Sequence, residues 1–345
     1  MKKKNATLTD IANELDIDVS TVSKALKNHP NISETTKKKV SKVARQLNYR
    51  PNAIATALVK GSSNLIGVMV PHTDESFFAS AIRGIEEIAQ QAGYNIVIFQ
   101  SHDDQNTEIK NLETMYRARV DGIIASHAMY TSDFSHYQDV IDQDIPLILF
   151  DRFDNSLDSD VVAVDDYKGA YKAVTHLIEQ GCKKIVHISG NMGVHIYDER
   201  LRGYKQALKD NDINFEEDLV FESDTSIEDG QQLTTKLWDR SVKPDAIFAA
   251  SDNPALGALQ VLKAKGVKIP DDVAIVGFSN EKFTSYVTPT ITSVEQHSRR
   301  LGEIAAQIFI DRISKDRQEN DNKLPQKVIL TPELIVRESS QRKRK

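Results

Sequence analysis

Thr7-Leu8-Thr9-Asp10-Ile11-Ala12-Asn13-Glu14-Leu15-Asp16-Ile17-Asp18-Val19-Ser20-Thr21-Val22-Ser23-Lys24-Ala25-Leu26 is the stretch that decides the fold. Thr7 with an acid three residues later, Asp10, marks a helix start. Ile11, Ala12 and Leu15 then fall on one helical face. Asp18 is the next cap candidate, and beyond it Val22, Ala25 and Leu26 share a face while Val19, Ser20, Ser23 and Lys24 project outward. Only Asp16 and Ile17 separate Leu15 from Asp18, so the two helices must cross steeply, as in a helix-turn-helix. Asn28-His29-Pro30-Asn31 interrupts the pattern. Ser33 then caps a third helix whose Val40, Val43, Ala44 and Leu47 form an apolar stripe, with Lys37, Lys38, Lys39 and Lys42 largely outside it.

The charge of the chain points the same way. Residues 1–60 hold twelve Lys or Arg against five Asp or Glu, a surplus of seven positive charges. The other 285 residues hold 32 against 45, a deficit of 13. A basic head on an acidic body is expected when only the head meets a polyanion, although a solvated terminus has the same composition. The length of 345 residues suggests two or three domains with room for buried cores. No apolar run approaches the roughly 18 residues of a membrane span. Met1-Lys2-Lys3-Lys4-Asn5 is basic but is followed by polar residues where a signal peptide has its apolar core, so a cytoplasmic protein is expected. The lone Cys182 excludes an internal disulfide and a Cys-rich zinc site.

From residue 65, apolar runs alternate with helical patterns. Leu65–Val70, Asn95–Phe99, Gly122–Ala125 and Pro146–Phe150 form a first run of strands. A second is expected to begin at Val161–Val164 and to continue through Lys184–Ile188, Ala246–Ala249 and Val273–Gly277. Continuous apolar strands separated by helices imply parallel sheets covered on both faces, and two runs imply two α/β lobes.

Thr7-Leu8 through Asp10-Ile11-Ala12, Val19–Ser23, and Leu47-Asn48-Tyr49-Arg50-Pro51-Asn52 with Ala55 and Leu58 resemble the LacI family of transcriptional regulators, the lactose and purine repressors. The spacing matches over the first 60 residues without a gap. The body resembles the family's effector domain, similar in fold to periplasmic sugar-binding proteins, over nearly all of 62–337. Its anchors are Phe77-Phe78, Gly93-Tyr94, Val120–Ile124, Asp151-Arg152, Asp165–Ala170, Arg200–Tyr204, Ser251-Asp252 and Val276-Gly277-Phe278. The implied fold is an all-α helix-turn-helix head with a hinge helix, joined to an α/β two-lobed domain with parallel sheets. The implied boundaries are a DNA-binding domain at 1–50, a hinge helix and linker at 51–61, an effector-binding and dimerisation domain at 62–338, and a basic tail at 339–345. Lobe 1 takes about 62–162 plus 294–325 and lobe 2 about 163–293 plus 326–338, with chain crossings near 162, 293 and 325.

The resemblance also implies roles. The second helix enters the major groove with its first residues toward base edges. Val19 offers apolar contact, for instance to a thymine methyl, and Ser20 a hydrogen bond of low selectivity. Thr7, Thr21, Ser23, Ser33 and Thr36 match phosphate-contacting positions, which fix register rather than sequence; helix capping accounts equally for such hydroxyls. Lys24 lies on the groove side. Asp18 replaces the usual Ser, and its expected service is capping alone. Asn52, Ala55 and Leu58 belong to the hinge helix, opened by Pro51; Leu58 matches the leucine that wedges between base steps, and Ala55 the small residue permitting close approach.

For the effector, the resemblance points to Phe77, Phe78, Asp151, Arg200, Ser251, Asp252 and Ser279, in a cleft between lobes at the carboxyl ends of strands. Phe77 and Phe78 fit a stacking wall or the core; Asp252 fits a helix cap better than a ligand contact. Three departures alter the pocket. Ser279 stands where relatives have an Asp, Ser251-Asp252 where they have Asn-Asp, and Thr225 where they have a stacking aromatic. A sugar or sugar derivative is the expected effector.

No dinucleotide or phosphate-binding glycine motif, metal-spaced His/Cys set or catalytic constellation is visible, so neither cofactor, metal nor enzymatic activity is expected. His176, His187 and His195 read as packing or loop residues and Trp238 as a surface anchor. The tail Ser339–Lys345 lacks a leucine heptad, which favours a homodimer on a near-palindromic double-stranded operator over a tetramer. A transport-type solute-binding protein is the rival reading; it would need export and would leave the basic head without a purpose.

Overall fold

The computed structural model describes residues 6–49, 61–239, 243–315 and 324–342. The chain divides into two compact units, Met1–Ser63 and Asn64–Lys345.

In the first unit, α1 (Leu8–Leu15), α2 (Val19–Leu26) and α3 (Glu34–Gln46) bury Ile11, Ala12, Val22, Ala25, Val40, Val43 and Ala44 in one small core. Thr7 and Asp10 form a reciprocal capping box at the start of α1. Asp16 ends that helix in the left-handed region, at φ 52°, and so turns the chain within two residues into α2. Asp18 occupies the N-cap position of α2, but its side chain makes no capping hydrogen bond, contrary to the expected service. Ser33 caps α3, accepting from the Thr36 N–H at 3.2 Å. The hinge residues Asn52, Ala55 and Leu58 lie outside the described residues.

The second unit carries two sheets. Its first half runs β1 (Leu65–Val70), α4 (Ser76–Gln91), β2 (Asn95–Gln100), α5 (Gln105–Ala118), β3 (Gly122–Ala125), α6 (Ser135–Asp142), β4 (Leu147–Phe150) and β5 (Asp160–Val164). The chain then enters the second lobe with α7 (Asp166–Glu179), β6 (Ile185–Ser189), α8 (His195–Asp210), β7 (Val220–Glu222), α9 (Ile227–Trp238), β8 (Ala246–Ala249), α10 (Asp252–Ala264), β9 (Ala274–Phe278) and β10 (Thr292–Glu295). It returns for α11 (Ser298–Lys315) and β11 (Lys327–Leu330), and ends on β12 (Glu333–Ile335) in the second lobe. The sheet orders are β11-β5-β4-β3-β1-β2 and β12-β10-β9-β8-β6-β7. Among the described residues the strand pairings are parallel except that of β10 with β12.

Parallel strands need both faces covered, and they are. In lobe 1, α4 and α11 pack on one face around Ile66, Val68, Ile85 and Phe309, and α5 and α6 on the other around Met69, Met115 and Tyr137. α4 and α11 approach closely because each presents a glycine at the contact: a Cβ on Gly84 would lie 2.2 Å from the Arg299 carbonyl, and one on Gly302 2.0 Å from that of Ala81. In lobe 2, α7 and α8 cover one face around Tyr204 and Phe278, and α9 and α10 the other around Ile247 and Leu262.

Three expectations shift. The strand at Val161–Val164 does not open the second sheet; it pairs with β4 and β11 in the first. Lys327–Leu330 likewise belongs to lobe 1, not to the second lobe, so the third crossing falls at Thr331-Pro332 rather than near 325. Arg312 of α11 fixes this edge: its guanidinium bonds both oxygens of Asp160 at 2.6 and 2.7 Å, and Asp160 also accepts the Gln326 N–H. The basic tail expected at 339–345 is not separate from the body at residue 339. Ser339 and Ser340 are fully buried in lobe 2, and Arg342 donates to the Pro270 and Asp245 carbonyls.

Candidate ligand cleft and nucleic-acid interface

In the first unit, packing decides which faces stay free. Val22 and Ala25 of α2 turn into the core, which leaves Val19, Ser20 and Lys24 on the outside. Val19 is 41% exposed, an apolar side chain held in solvent on the first turn of a helix otherwise packed by its apolar face. Thr21 and Ser23 are half-buried beside it. Thr7 and Ser33 cap their helices, and Thr36 bonds Ser33 at 2.8 Å between hydroxyls, so all three hydroxyls lie at helix N-termini, where N–H groups favour an anion.

In the second unit, a cavity of about 510 Å³ lies between the lobes. Phe77, Phe78, Asp151, Arg200, Ser251 and Ser279 all line it, as does Thr225. Phe77 and Phe78 satisfy both alternatives, being buried in the lobe 1 core while facing the cavity. Strand ends supply much of the wall: Asp151 follows β4, and Ser279 follows β9. Asp151, Thr225 and Ser279 have φ of 60°, 58° and 110°, backbone conformations that side-chain-bearing residues seldom adopt and that cluster at functional sites.

Asp252 is not on the wall. It is the first residue of α10 rather than its cap, and its fully buried carboxylate accepts from the Ser293 hydroxyl and the Glu281 N–H, both at 2.7 Å. Burial pushes its pKa up to about 7. Gly277 makes room for it, since a Cβ there would sit 2.0 Å from Asp252 Oδ1. Asp252 therefore braces the loop that carries Glu281.

Arg200 is already engaged. It donates from Nε to Asp166 at 2.8 Å and from Nη1 to the Ala250 carbonyl at 2.6 Å, and its guanidinium lies 3.8 Å from the Phe278 ring centroid. Burial pushes Asp166 up to about 6, against the pull of Arg200.

Several lining residues escaped the sequence reading: His72, Glu75, Asp103, Arg152, Tyr197, Glu281 and Gln296. Arg152 donates to Asp103 at 2.5 Å, and Asp103 also bonds His72 at 3.1 Å and the Met129 N–H at 2.7 Å. Burial would raise the Asp103 carboxyl, but these partners hold it well below the usual carboxylate range. His72 and Asp103 follow β1 and β2, where ligands of open α/β sheets bind, and that positional rule could have found them. Contacts also join the lobes around the cavity. Tyr130 of lobe 1 donates to Asp224 of lobe 2 at 2.5 Å, and Met129 packs against Val194, Ile196, Tyr197 and Ala250.

The histidines read as packing residues behave as such. His187 is fully buried, stacked 4.8 Å from Phe248, and His176 bonds Ser340 at 2.8 Å. His195 opens α8 with its ring 4.9 Å from Phe153. Trp238 packs half-buried on lobe 2 beneath Lys243. Among the described residues, no helix is long and apolar enough to cross a membrane.

A three-helix head with an outward-facing second helix, followed by two lobes closing on a cleft, defines a DNA-binding regulator with a built-in ligand receptor. The chain belongs to the LacI family. Residues 7–52 match the bacterial regulatory proteins of the lacI family, and residues 174–340 the periplasmic binding protein-like domain. Catabolite control protein A of Priestia megaterium is 31% identical over 313 residues, 90% of this chain and 94% of that protein. A solved complex of the transcriptional regulator CelR with cellobiose is 26% identical, covering 97% of this chain and all of that one, with a TM-score of 0.73. A LacI family regulator from Enterococcus faecium with bound ribose is 28% identical, covering 80% of this chain and 98% of that one, with a TM-score of 0.69. These relatives are transcriptional regulators, and so is this chain.

Proposed function

We propose that the protein is a homodimeric repressor whose grip on a near-palindromic operator is set by a small polyhydroxylated effector, a sugar or sugar derivative, held in the lobe cleft. The observation that carries the reading is the joint presence in one chain of an exposed recognition-helix face and an interlobe cavity. The second is walled by buried aromatics and hydrogen-bonding side chains, the mixture that small-ligand sites use. Relatives of known structure hold cellobiose and ribose.

Val19 and Ser20 read bases, Thr7, Thr21, Ser23, Ser33, Thr36 and Lys24 position the head on phosphates, and Asn52, Ala55 and Leu58 act in the minor groove. The domains divide as head, hinge and body, with the effector site wholly in the body. Dimerisation through the body is supported by β2, an edge strand that exposes Val97 and Ile98 at 37% and 45%. Such a face needs a partner. The protein works in the cytoplasm, where its operator is, and no catalytic role is assigned: Cys182 is buried with its thiol pushed up to about 12, far from nucleophilic.

Because the effector and DNA act on one conformational equilibrium, each must change the other's affinity by the same factor. Gel retardation on an operator, with and without a cleft ligand, tests this. A truncation starting at Ser62 should keep ligand binding and lose the operator; retained operator binding would refute the head assignment. Leu58→Ala should lose specific affinity while keeping salt-sensitive non-specific binding, and unchanged specific affinity would refute the wedge.

A further inference from the structure

The carboxylates of the cleft outnumber its cations, and the cations are already taken. Arg152 is paired with Asp103, and Arg200 with Asp166. Glu281 is engaged too: its carboxylate accepts the Ser76 and Phe77 N–H groups. Asp224 accepts from Tyr130, and Asp74 is exposed to solvent. Two less exposed acids remain on the wall. Asp151 is only 6% exposed, and Glu75 sits at the N-cap position of α4 without capping it. Neither carboxylate has a hydrogen-bond or ion-pair partner among the described residues. Burial pushes Asp151 up to about 6, and burial likewise raises Glu75. Glu75 adds to the rise of Asp151, against the pull of Arg152 and Arg200. A buried carboxylate without a partner is costly, and a bound cation relieves it.

The cation assigned to this pair is part of an organic molecule. Among the described residues no group of three or more His, Cys, Asp or Glu is placed to hold a metal ion. The same wall offers donors for neutral oxygens: Arg152 Nε and Gln296 Nε2 are buried and lack partners among the described residues. Phe77 and Tyr197 supply flat apolar surface.

We infer that the cleft's ligand is a polyhydroxylated molecule carrying an ammonium group, an amino sugar rather than a neutral one, with the ammonium held by Glu75 and Asp151 and its hydroxyls by Arg152 and Gln296. The inference rests on the cleft being the effector site. It adds the sign of the ligand's charge.

Matched probes separate the two layers. The full-length protein is titrated, by thermal melting and calorimetry, with glucose against glucosamine, galactose against galactosamine, and pentaerythritol against tris(hydroxymethyl)aminomethane. The N-acetyl sugars serve as uncharged controls. The amine of at least one pair should bind at least ten-fold tighter than its neutral partner, the preference expected of a hydrogen bond to a charged group. N-acetylation should abolish it, and Glu75→Gln and Asp151→Asn should each bring the ratio toward one. Both variants keep side-chain size, and Asn tolerates the positive φ of Asp151. A neutral member bound as tightly as its amine overturns the charge assignment and leaves the cleft a carbohydrate receptor. An amine preference surviving in both variants overturns the assignment to these acids. No binding by any probe to protein that melts cooperatively overturns the amino-sugar inference and the sugar reading together.

Discussion

The carboxylate of Glu281, carried by the second lobe, accepts a hydrogen bond from the backbone N–H of Phe77, in the first turn of a first-lobe helix, at 2.9 Å. Its other oxygen takes the Ser76 N–H at 3.1 Å. Glu75, at the N-cap position, makes no capping bond, so the helix is capped from the opposite lobe. The free N–H groups at a helix start favour negative charge, which makes this contact a latch for lobe closure.

Glu281→Gln should loosen that latch. Charge-assisted hydrogen bonds contribute roughly 1.5–3 kcal/mol each, and these are partly open to solvent, so the closed form should lose about 1–2 kcal/mol. Hydrogen exchange at the Ser76 and Phe77 amides should accelerate by roughly 5- to 30-fold in the ligand-free variant. Unaltered exchange would mean that Tyr130–Asp224 and the Met129 cluster hold the lobes without it.

Asp252 and Gly277 should be energetically coupled. Asp252→Ala leaves the Glu281 N–H and the Ser293 hydroxyl without their acceptor, a loss of about 2–4 kcal/mol. Gly277→Ala drives a methyl into Asp252 Oδ1 and should cost about 1–3 kcal/mol. In the double variant the clash is gone, so the two losses should sum to at least 1 kcal/mol less than additivity predicts. Denaturant unfolding of the four proteins measures the coupling, and strict additivity would show that the contact is not felt.

His187 should set part of the acid sensitivity. It donates from Nδ1 to the Phe248 carbonyl at 3.1 Å, while Nε2 is buried without a partner among the described residues. Burial lowers its pKa to about 4, below the unfolded value near 6.5. The unfolded chain therefore binds the extra proton first, and stability present above pH 6.5 is lost as pH falls toward 4, by at most about 3 kcal/mol. His187→Phe keeps the stacked shape and removes the titration. Its stability relative to wild type should rise as pH drops from 6.5 to 4, read from unfolding midpoints; parallel curves would contradict the assignment.

What the sequence made legible follows from range. The head was readable because its helices, caps and turn are set by residues three or four apart, as Thr7–Asp10 and Ser33–Thr36 show. The strands were readable as apolar runs, but not the sheet each one joins. Val161–Val164 and Lys327–Leu330 pair with each other across more than 160 residues, and nothing in either run announces it. In the cleft, Phe77, Asp151 and Arg200 came from family position. Glu75 and Arg152 stand within two residues of those positions, but a charge becomes informative about a site only when its burial and partners are known. The place of Asp252 at a helix start suggests a cap; only its burial against Gly277 reveals a different role.

The head invites a paired test, because Ile11 and Val19 are apolar residues with opposite settings: Ile11 is fully buried, Val19 is 41% exposed. Ile11→Ala should remove roughly 2–4 kcal/mol from a three-helix unit too small to hold much more than that. Operator binding should be lost while the cleft, in a separate compact unit, keeps its ligand. Val19→Ala removes two methyl groups from a side chain that packs on little, so melting should move by less than about 0.5 kcal/mol in stability. Its effect should appear in selection from randomised half-sites, as relaxed preference at one base pair where a thymine methyl met the valine, by about 1–3 kcal/mol. If Val19→Ala selects the same half-site with the same stringency, Val19 does not read DNA, and its exposure on the first turn of that helix must be explained by another partner.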